Sequence, residues 1–158
     1  MKGKYIMTIA TVARQKGTYL GKLIVRGSIM EFVPSMTRAK FINLGDLVYF
    51  MYVNDRLMKI GKTNAAAGFY SRVQMYKRGR NGDPTNNRIM DVMESIEETN
   101  IEIYGVLAPR ESIELICPLT GETDTLFIKT AEAREKLLTK LYLNEEPACD
   151  LPFCNQLK

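Results

Sequence analysis

Tyr49 and Lys59 interrupt two otherwise apolar runs, LVYFMYV (47–53) and RLMKIG (56–61), that flank Asn54-Asp55. Arg72 and Tyr76 follow at i and i+4 of a helical segment, a spacing that puts both side chains on one face. Glu135 lies in a late helical segment with Leu138 and Tyr142 at i+3 and i+7, which tilts its carboxylate toward the buried side. The chain contains no histidine. Ser-His and Cys-His nucleophile pairs are thereby excluded, as is the ordinary general base, so hydrolysis would have to use Tyr, Lys, Asp or Glu, or a bound metal ion. A tyrosine, a lysine, an arginine and one inward carboxylate could converge on one cleft. Taken singly they have plainer readings: Tyr49 as a half-buried strand aromatic, Tyr76 as a core residue, Lys59 and Arg72 as surface charges, Glu135 as a partner for Lys136 or Lys140.

The charge distribution bears on the same region. Between Arg56 and Arg88 eight Lys or Arg stand against one acid, Asp83, whereas from Asp91 to the end fourteen Asp or Glu stand against six Lys or Arg. A basic middle in a chain of net charge +4 is the footprint of something that meets phosphates, or a solvated basic face. The segment YKRGRNGD (76–83) is the natural phosphate-contacting loop within it.

The elements that must position these residues are legible from period and punctuation. KYIMTIATVA (4–13) is rich in β-formers. TYLGKLIVRG and SIMEFVP, joined at Gly27-Ser28, predict a hairpin, and the runs around Asn54-Asp55 predict a second. AAAGFYSRVQMYKRG (65–79) has helical spacing and ends at a glycine, and PTNNRIMDVMESIEETN (84–100) reads as a helix with Thr85 as its cap. Strands follow at 101–109, 111–118 and 124–129, then a helix capped at Thr130, and PACDLPFCNQLK reads as a tail or loop. The prediction is one α+β domain with a small, mainly antiparallel sheet flanked by helices.

At 158 residues a single domain can bury a core without staples. No apolar run is long enough to span a membrane and the first residues are too polar for a secretory signal, so a cytoplasmic (intracellular) protein without a membrane partner is expected. The three cysteines form no CxxC pair and have no histidine to complete a zinc set, so reduced thiols are expected.

VYF at 48–50, the hairpin turn and KIG at 59–61, followed by a helix arginine and a later glutamate, resemble the GIY-YIG nuclease superfamily. RVQMY (72–76) and NGDPTNN (81–87) make the compact homodimeric type II restriction endonucleases of that superfamily the closer likeness, and the lysine in place of the second motif tyrosine is shared with that branch. The likeness covers about 45–135 and implies a GIY-YIG-type core over 45–158, preceded by a β-rich N-terminal extension over 1–44. It implies Tyr49 as general base, Lys59 in the place of the second tyrosine, Arg72 and Tyr76 at the scissile phosphate, and Glu135 as the metal ligand. Asn155 falls near the superfamily's late asparagine.

The implied activity is hydrolysis of phosphodiester bonds in double-stranded DNA by a homodimer with Mg²⁺, or Mn²⁺, and no organic cofactor. Lys62, Lys77, Arg78, Arg80, Asn86 and Arg88 are the expected DNA contacts. Two alternatives stay open: a GIY-YIG nuclease of low sequence specificity acting on single-stranded, branched or foreign DNA, and a catalytically silent nucleic-acid-binding module. The roles are chemically coherent. Arg72 can fork onto a phosphate, a cation beside a tyrosine favours its phenolate, and a single carboxylate with water and phosphate oxygens is an ordinary Mg²⁺ site.

Overall fold

The computed structural model describes residues 8–81, 83–145 and 150–154. In chain order the elements are α1 (Ile9–Lys16), β1 (Thr18–Arg26), β2 (Ile29–Pro34), α2 (Arg38–Leu44), β3 (Leu47–Val53), β4 (Arg56–Thr63), α3 (Tyr70–Lys77), α4 (Pro84–Ser95), β5 (Asn100–Leu107), β6 (Glu111–Ile116), β7 (Thr123–Ile128) and α5 (Ala131–Glu145). Five strands form one sheet in the order β2-β1-β5-β3-β4, antiparallel at every joint. The two predicted hairpins form where their turn residues place them: Gly27 and Asn54 both take positive φ, and Arg26 pairs with Ile29 as Val53 pairs with Arg56.

Side chains alternate across the pleat, so β3 explains both halves of the core. Leu47, Tyr49, Met51 and Val53 face Phe41 of α2, Phe69, Val73 and Tyr76 around α3, and Ile89, Met90 and Met93 of α4. Val48, Phe50 and Tyr52 face Ala13 of α1, Ala131 and Tyr142 of α5, and Leu151. Every residue of β3 is buried because helices cover the sheet on both sides. β4 lies at the edge of the sheet and β3 next to it.

The expected fold class holds, with local corrections. The β-forming stretch 4–13 was expected to be extended, but from Ile9 it is helix α1. The Thr8 side chain accepts from Thr11 N as the N-cap, and capping plus the burial of Ala13 outweigh β propensity over so short a run. The helix read over 65–79 begins only at Tyr70, since Gly68 at φ +58 leaves the helical region. In α4 the cap is Asp83 rather than Thr85: its carboxylate accepts from Thr85 N and Asn86 N, and Pro84 occupies the first turn where no N–H is needed. That helix ends at Ser95, and Asn100 already opens β5.

Strands from both sides of residue 44 share the sheet. Of the first forty-four residues, 18–34 supply β1 and β2 and two further stretches supply α1 and α2, while β1 is hydrogen-bonded to β5 inside the sheet. The region read as a tail is partly anchored: Leu151 and Phe153 are buried, Phe153 N donates to Met58 O, and Asp150 pairs with Arg56 at 2.7 Å. This strap covers the open edge of β4, which answers the hazard of an unpaired edge strand.

Candidate active site

Tyr49 lies on β3, which is buried along its whole length and paired with a strand on each side. It is 2% exposed, and its strand partner across the sheet is Gly61. A Cβ at position 61 would collide with Tyr49 Cζ and Oη, so the glycine is what allows the ring to lie across β4. Phe69 packs edge-on against that ring, with centroids 5.3 Å apart. The Tyr49 hydroxyl then meets the Tyr76 hydroxyl at 2.8 Å. Tyr76 is fully buried, and burial first, then the neighbouring Tyr49, hold its phenol well above the ordinary tyrosine value while Arg72 pulls the other way.

Lys59 stands opposite Met51, on the same face as Tyr49. A register shift between Met51 and Tyr52 sets an extra β4 residue there, so that Met58 also turns to this side. Glu135 reaches the region from α5, which packs along β4. Partial burial pushes its carboxyl above the usual range, and Lys59 and Lys62 draw it back down. The strap closes the group from below. Burial raises the Cys154 thiol, Lys59 and Arg88 oppose that shift, Glu135 adds to it, and the Ile60 backbone hydrogen-bonds the sulfur. The edge of β4 from Met58 to Ile60 is therefore where one helix from each sheet face and the strap converge.

Arg72 is docked rather than free. Its Nε donates to Lys62 O at 3.3 Å and Nη1 to Met75 Sδ at 3.7 Å, leaving Nη2 with no protein acceptor among the described residues. The structure thus brings Tyr49 and Tyr76 into direct contact, sets Arg72 beside Tyr76, and sets Lys59 beside Glu135. Cys154, on the strap, lies near Lys59 and Glu135.

The expected DNA contacts divide. Lys77 and Arg78 are exposed at the end of α3, and Lys62 is half-buried beside Glu135. Arg80 is exposed and paired with Asp91 at 2.8 Å, and Arg88 is exposed with Nε donating to Pro152 O at 2.9 Å. Asn86 is a correction. It is fully buried and its Nδ2 donates to Met75 O and Gly79 O, so it ties α4 to the end of α3 instead of facing a ligand. Its position in a basic, polar stretch concealed that bond. Asn155 lies outside the described residues.

Three contributors were not anticipated: Gly61 as the floor under Tyr49, Asn86 as the bracket of α3, and Phe153 with Cys154 as the strap. Only the first had a signal, a glycine inside a strand, which marks a close approach of another group. Among the described residues no group of three or more His, Cys, Asp or Glu lies together as a ready metal cage. Glu135, half-buried with its charge disfavoured by burial, fits a hard cation as the single carboxylate that completes its shell with water and phosphate oxygens.

No protein-family model matches the chain, and no curated protein does. Solved structures do. A mutant of bacteriophage T4 EndoII with glutamate replaced by alanine aligns over 88% of this chain and 96% of its own, with TM-score 0.55 and 16% identity. Restriction endonuclease HPY188I in complex with product DNA aligns over 90% of this chain and 82% of its own, with TM-score 0.50 and 17% identity. At such identities the likeness is one of fold, and the chain shares its fold with both.

Proposed function

We propose that the protein is a metal-dependent DNA endonuclease of the GIY-YIG type, acting on double-stranded DNA in the manner of the type II restriction enzymes. The observation that carries this reading is the buried Tyr49–Tyr76 hydroxyl pair at 2.8 Å, set beside Arg72 in a fold shared with two endonucleases. A chain without histidine needs another proton acceptor, and the Tyr49 oxygen of this pair takes that part.

In this reading Tyr76, whose burial disfavours its phenolate, donates its O–H to the Tyr49 oxygen. Tyr49 then takes the proton of the attacking water. Lys59, on the same sheet face, orients that water and adds positive charge to the site. Arg72, already oriented by Lys62 O, presents Nη2 to a non-bridging phosphate oxygen. Glu135 would hold Mg²⁺ or Mn²⁺, which when bound supplies Lewis-acid charge at the phosphoryl and leaving oxygens. Lys77 and Arg78 position the DNA backbone without reading sequence. Cleavage of both strands calls for two such sites, and the reading accordingly includes a homodimer.

The test is incubation of defined plasmid DNA with Mg²⁺ and sequencing of the product ends. Cleavage is expected from the wild-type chain, with discrete termini sharing a sequence. Glu135→Ala is expected to abolish cutting and to retain DNA binding in a mobility-shift assay. Wild-type cleavage by Glu135→Ala would remove the metal assignment, and a wild-type chain that binds DNA but never cuts it would remove the enzyme reading.

A further inference from the structure

Helices α2 and α3 come from stretches without an acid: residues 32–45 and 56–82 contain no Asp or Glu. Both helices pack on the sheet face that carries Tyr49, through Phe41 and Val73. The acids bordering these stretches are turned away or engaged. Glu31 alternates with the buried Met30 and Phe32 and so lies on the other sheet face. Asp46 is buried and pairs with Arg110 at 3.0 Å, Asp55 pairs with Arg14 at 3.1 Å, and the Asp83 carboxylate caps α4. The cations are correspondingly uncompensated. Arg38, Lys77 and Arg78 are exposed and form no ion pair with any described residue, whereas Arg80, just beyond α3, is neutralised by Asp91.

Arg38 is held by a ring instead. Its guanidinium carbon lies 4.6 Å from the ring centroid of Tyr70, the first residue of α3. Such a stack covers one face of the guanidinium and leaves its in-plane N–H groups free to fork onto a phosphate. It also restrains a long side chain in advance, which lowers the ordering cost of binding. Tyr70 and Lys77, at i and i+7, share one side of α3. Arg72 leans the other way, with its Nε on Lys62 O of β4. Helix α3 therefore carries an oriented cation on each flank, Arg72 toward β4 and Arg38 toward α2. From Tyr70 to Lys77 the helix rises about 10 Å, and one strand of duplex DNA advances about 3.4 Å per phosphate. Arg38 and Lys77 are thus spaced for phosphates about three steps apart.

We propose that Arg38, stacked on Tyr70, is an anchor for the DNA backbone: with Lys77 it takes phosphates of one strand along the α2 side of α3, on the flank away from Arg72, and Tyr70 is the residue that positions it. The inference rests on the reading of the protein as a DNA endonuclease and extends the contact surface from α3 to α2. Charge selects the ligand, since an acid-free surface with unpaired cations at this spacing suits a polyanion of that repeat. Contacts of this kind fix register and orientation and carry no base preference.

The experiment is fluorescence anisotropy of a short labelled DNA duplex over a range of salt concentrations, without divalent ions so that nothing is cut, and with circular dichroism to confirm that each variant is folded. Wild type is expected to bind. Arg38→Ala is expected to bind about 10-fold more weakly at about 0.1 M salt, with the slope of log K against log salt reduced by about 0.9, as loss of one phosphate contact requires. Tyr70→Leu is expected to weaken binding by about 3-fold and to add nothing in the Arg38→Ala background, whereas Tyr70→Phe, which keeps the ring, is expected to match wild type. Lys16→Ala, exposed on α1 across the sheet, is expected to match wild type as well. A wild type that binds no DNA removes the nuclease reading and this inference with it. A wild type that binds DNA while Arg38→Ala keeps its affinity and slope overturns the inference alone. So does a Tyr70→Leu effect that persists undiminished without Arg38, or a loss in Lys16→Ala as large as that in Arg38→Ala.

Discussion

Removing either hydroxyl of the Tyr49–Tyr76 pair should cost more than removing both. The two oxygens lie 2.8 Å apart, in side chains 2% and 0% exposed, so neither can turn to water when the other is lost. Tyr49→Phe strands the Tyr76 hydroxyl, and Tyr76→Phe strands that of Tyr49. Each stranded buried group costs about 1–3 kcal/mol. For a chain of this length, 2 kcal/mol corresponds to a fall in Tm of about 4–8 °C. The double variant keeps both rings and leaves no orphan, and replacing both partners by apolar groups of the same shape is close to neutral. Its cost should therefore fall short of the sum of the single costs by nearly that whole sum, about 2–6 kcal/mol.

Thermal or urea unfolding of the four proteins measures this coupling directly, and DNA cleavage by the same preparations separates structure from chemistry. Stability should largely return in the double variant. Activity, reduced by orders of magnitude in Tyr49→Phe, should not return, because the double variant also lacks the proton acceptor. Single-variant costs that add to within about 0.5 kcal/mol would show that the hydroxyls are not a coupled buried pair. A Tyr49→Phe enzyme with normal rates would move the base elsewhere, and Lys59 would be examined next.

Three further outcomes follow from the same geometry. Gly61→Ala is expected to be severely destabilised or to force Tyr49 off β4, with cleavage lost while the far strands β1 and β2 keep their hydrogen-exchange protection. Asn86→Ala removes two buried donors from Met75 O and Gly79 O and should cost about 2–4 kcal/mol in urea unfolding, whereas Arg80→Ala, which breaks only an exposed ion pair, should cost under about 1 kcal/mol. Because the folded-state value of Tyr76 lies above the unfolded one, its contribution to stability is fully present below a pH of about 10. Above that pH the unfolded chain sheds the proton first and stability falls. Tyr52, raised by burial, adds to the same decline, so the measurement is the difference between wild type and Tyr76→Phe, which should lose stability less steeply under alkali.

How much of this was legible in the sequence depended on the range of the interactions involved. The hairpins at Gly27 and Asn54 were readable because a turn declares itself within four residues. So was α3 near Arg72 and Tyr76, whose shared face is a property of helix geometry and needs no partner. Helix α1 was not readable, because its residues favour a strand in isolation, and what decides their state is a cap at Thr8 and the burial of Ala13 against the sheet. The insertion of β1 beside β5 was equally hidden: the pairing of Thr18 with Gly105 spans most of the chain and leaves no local mark. Asn86 misled for a related reason. A polar residue in a basic stretch has the same letter whether it faces a phosphate or the carbonyls of Met75 and Gly79.

The placement of Tyr49 one strand in from the edge has a consequence for how the group works. Laying the ring across Gly61 fixes the Cα of Tyr49 inside a strand buried on both faces and sets its oxygen against β4, the strand that carries Lys59. The strap then matters for the same reason. By pairing Phe153 N with Met58 O it fixes the strand immediately before Lys59, at the irregularity that turns two consecutive β4 residues to one side. Sheet edge, glycine and strap thus act together to hold the Tyr49 ring over β4 and to fix the strand immediately before Lys59.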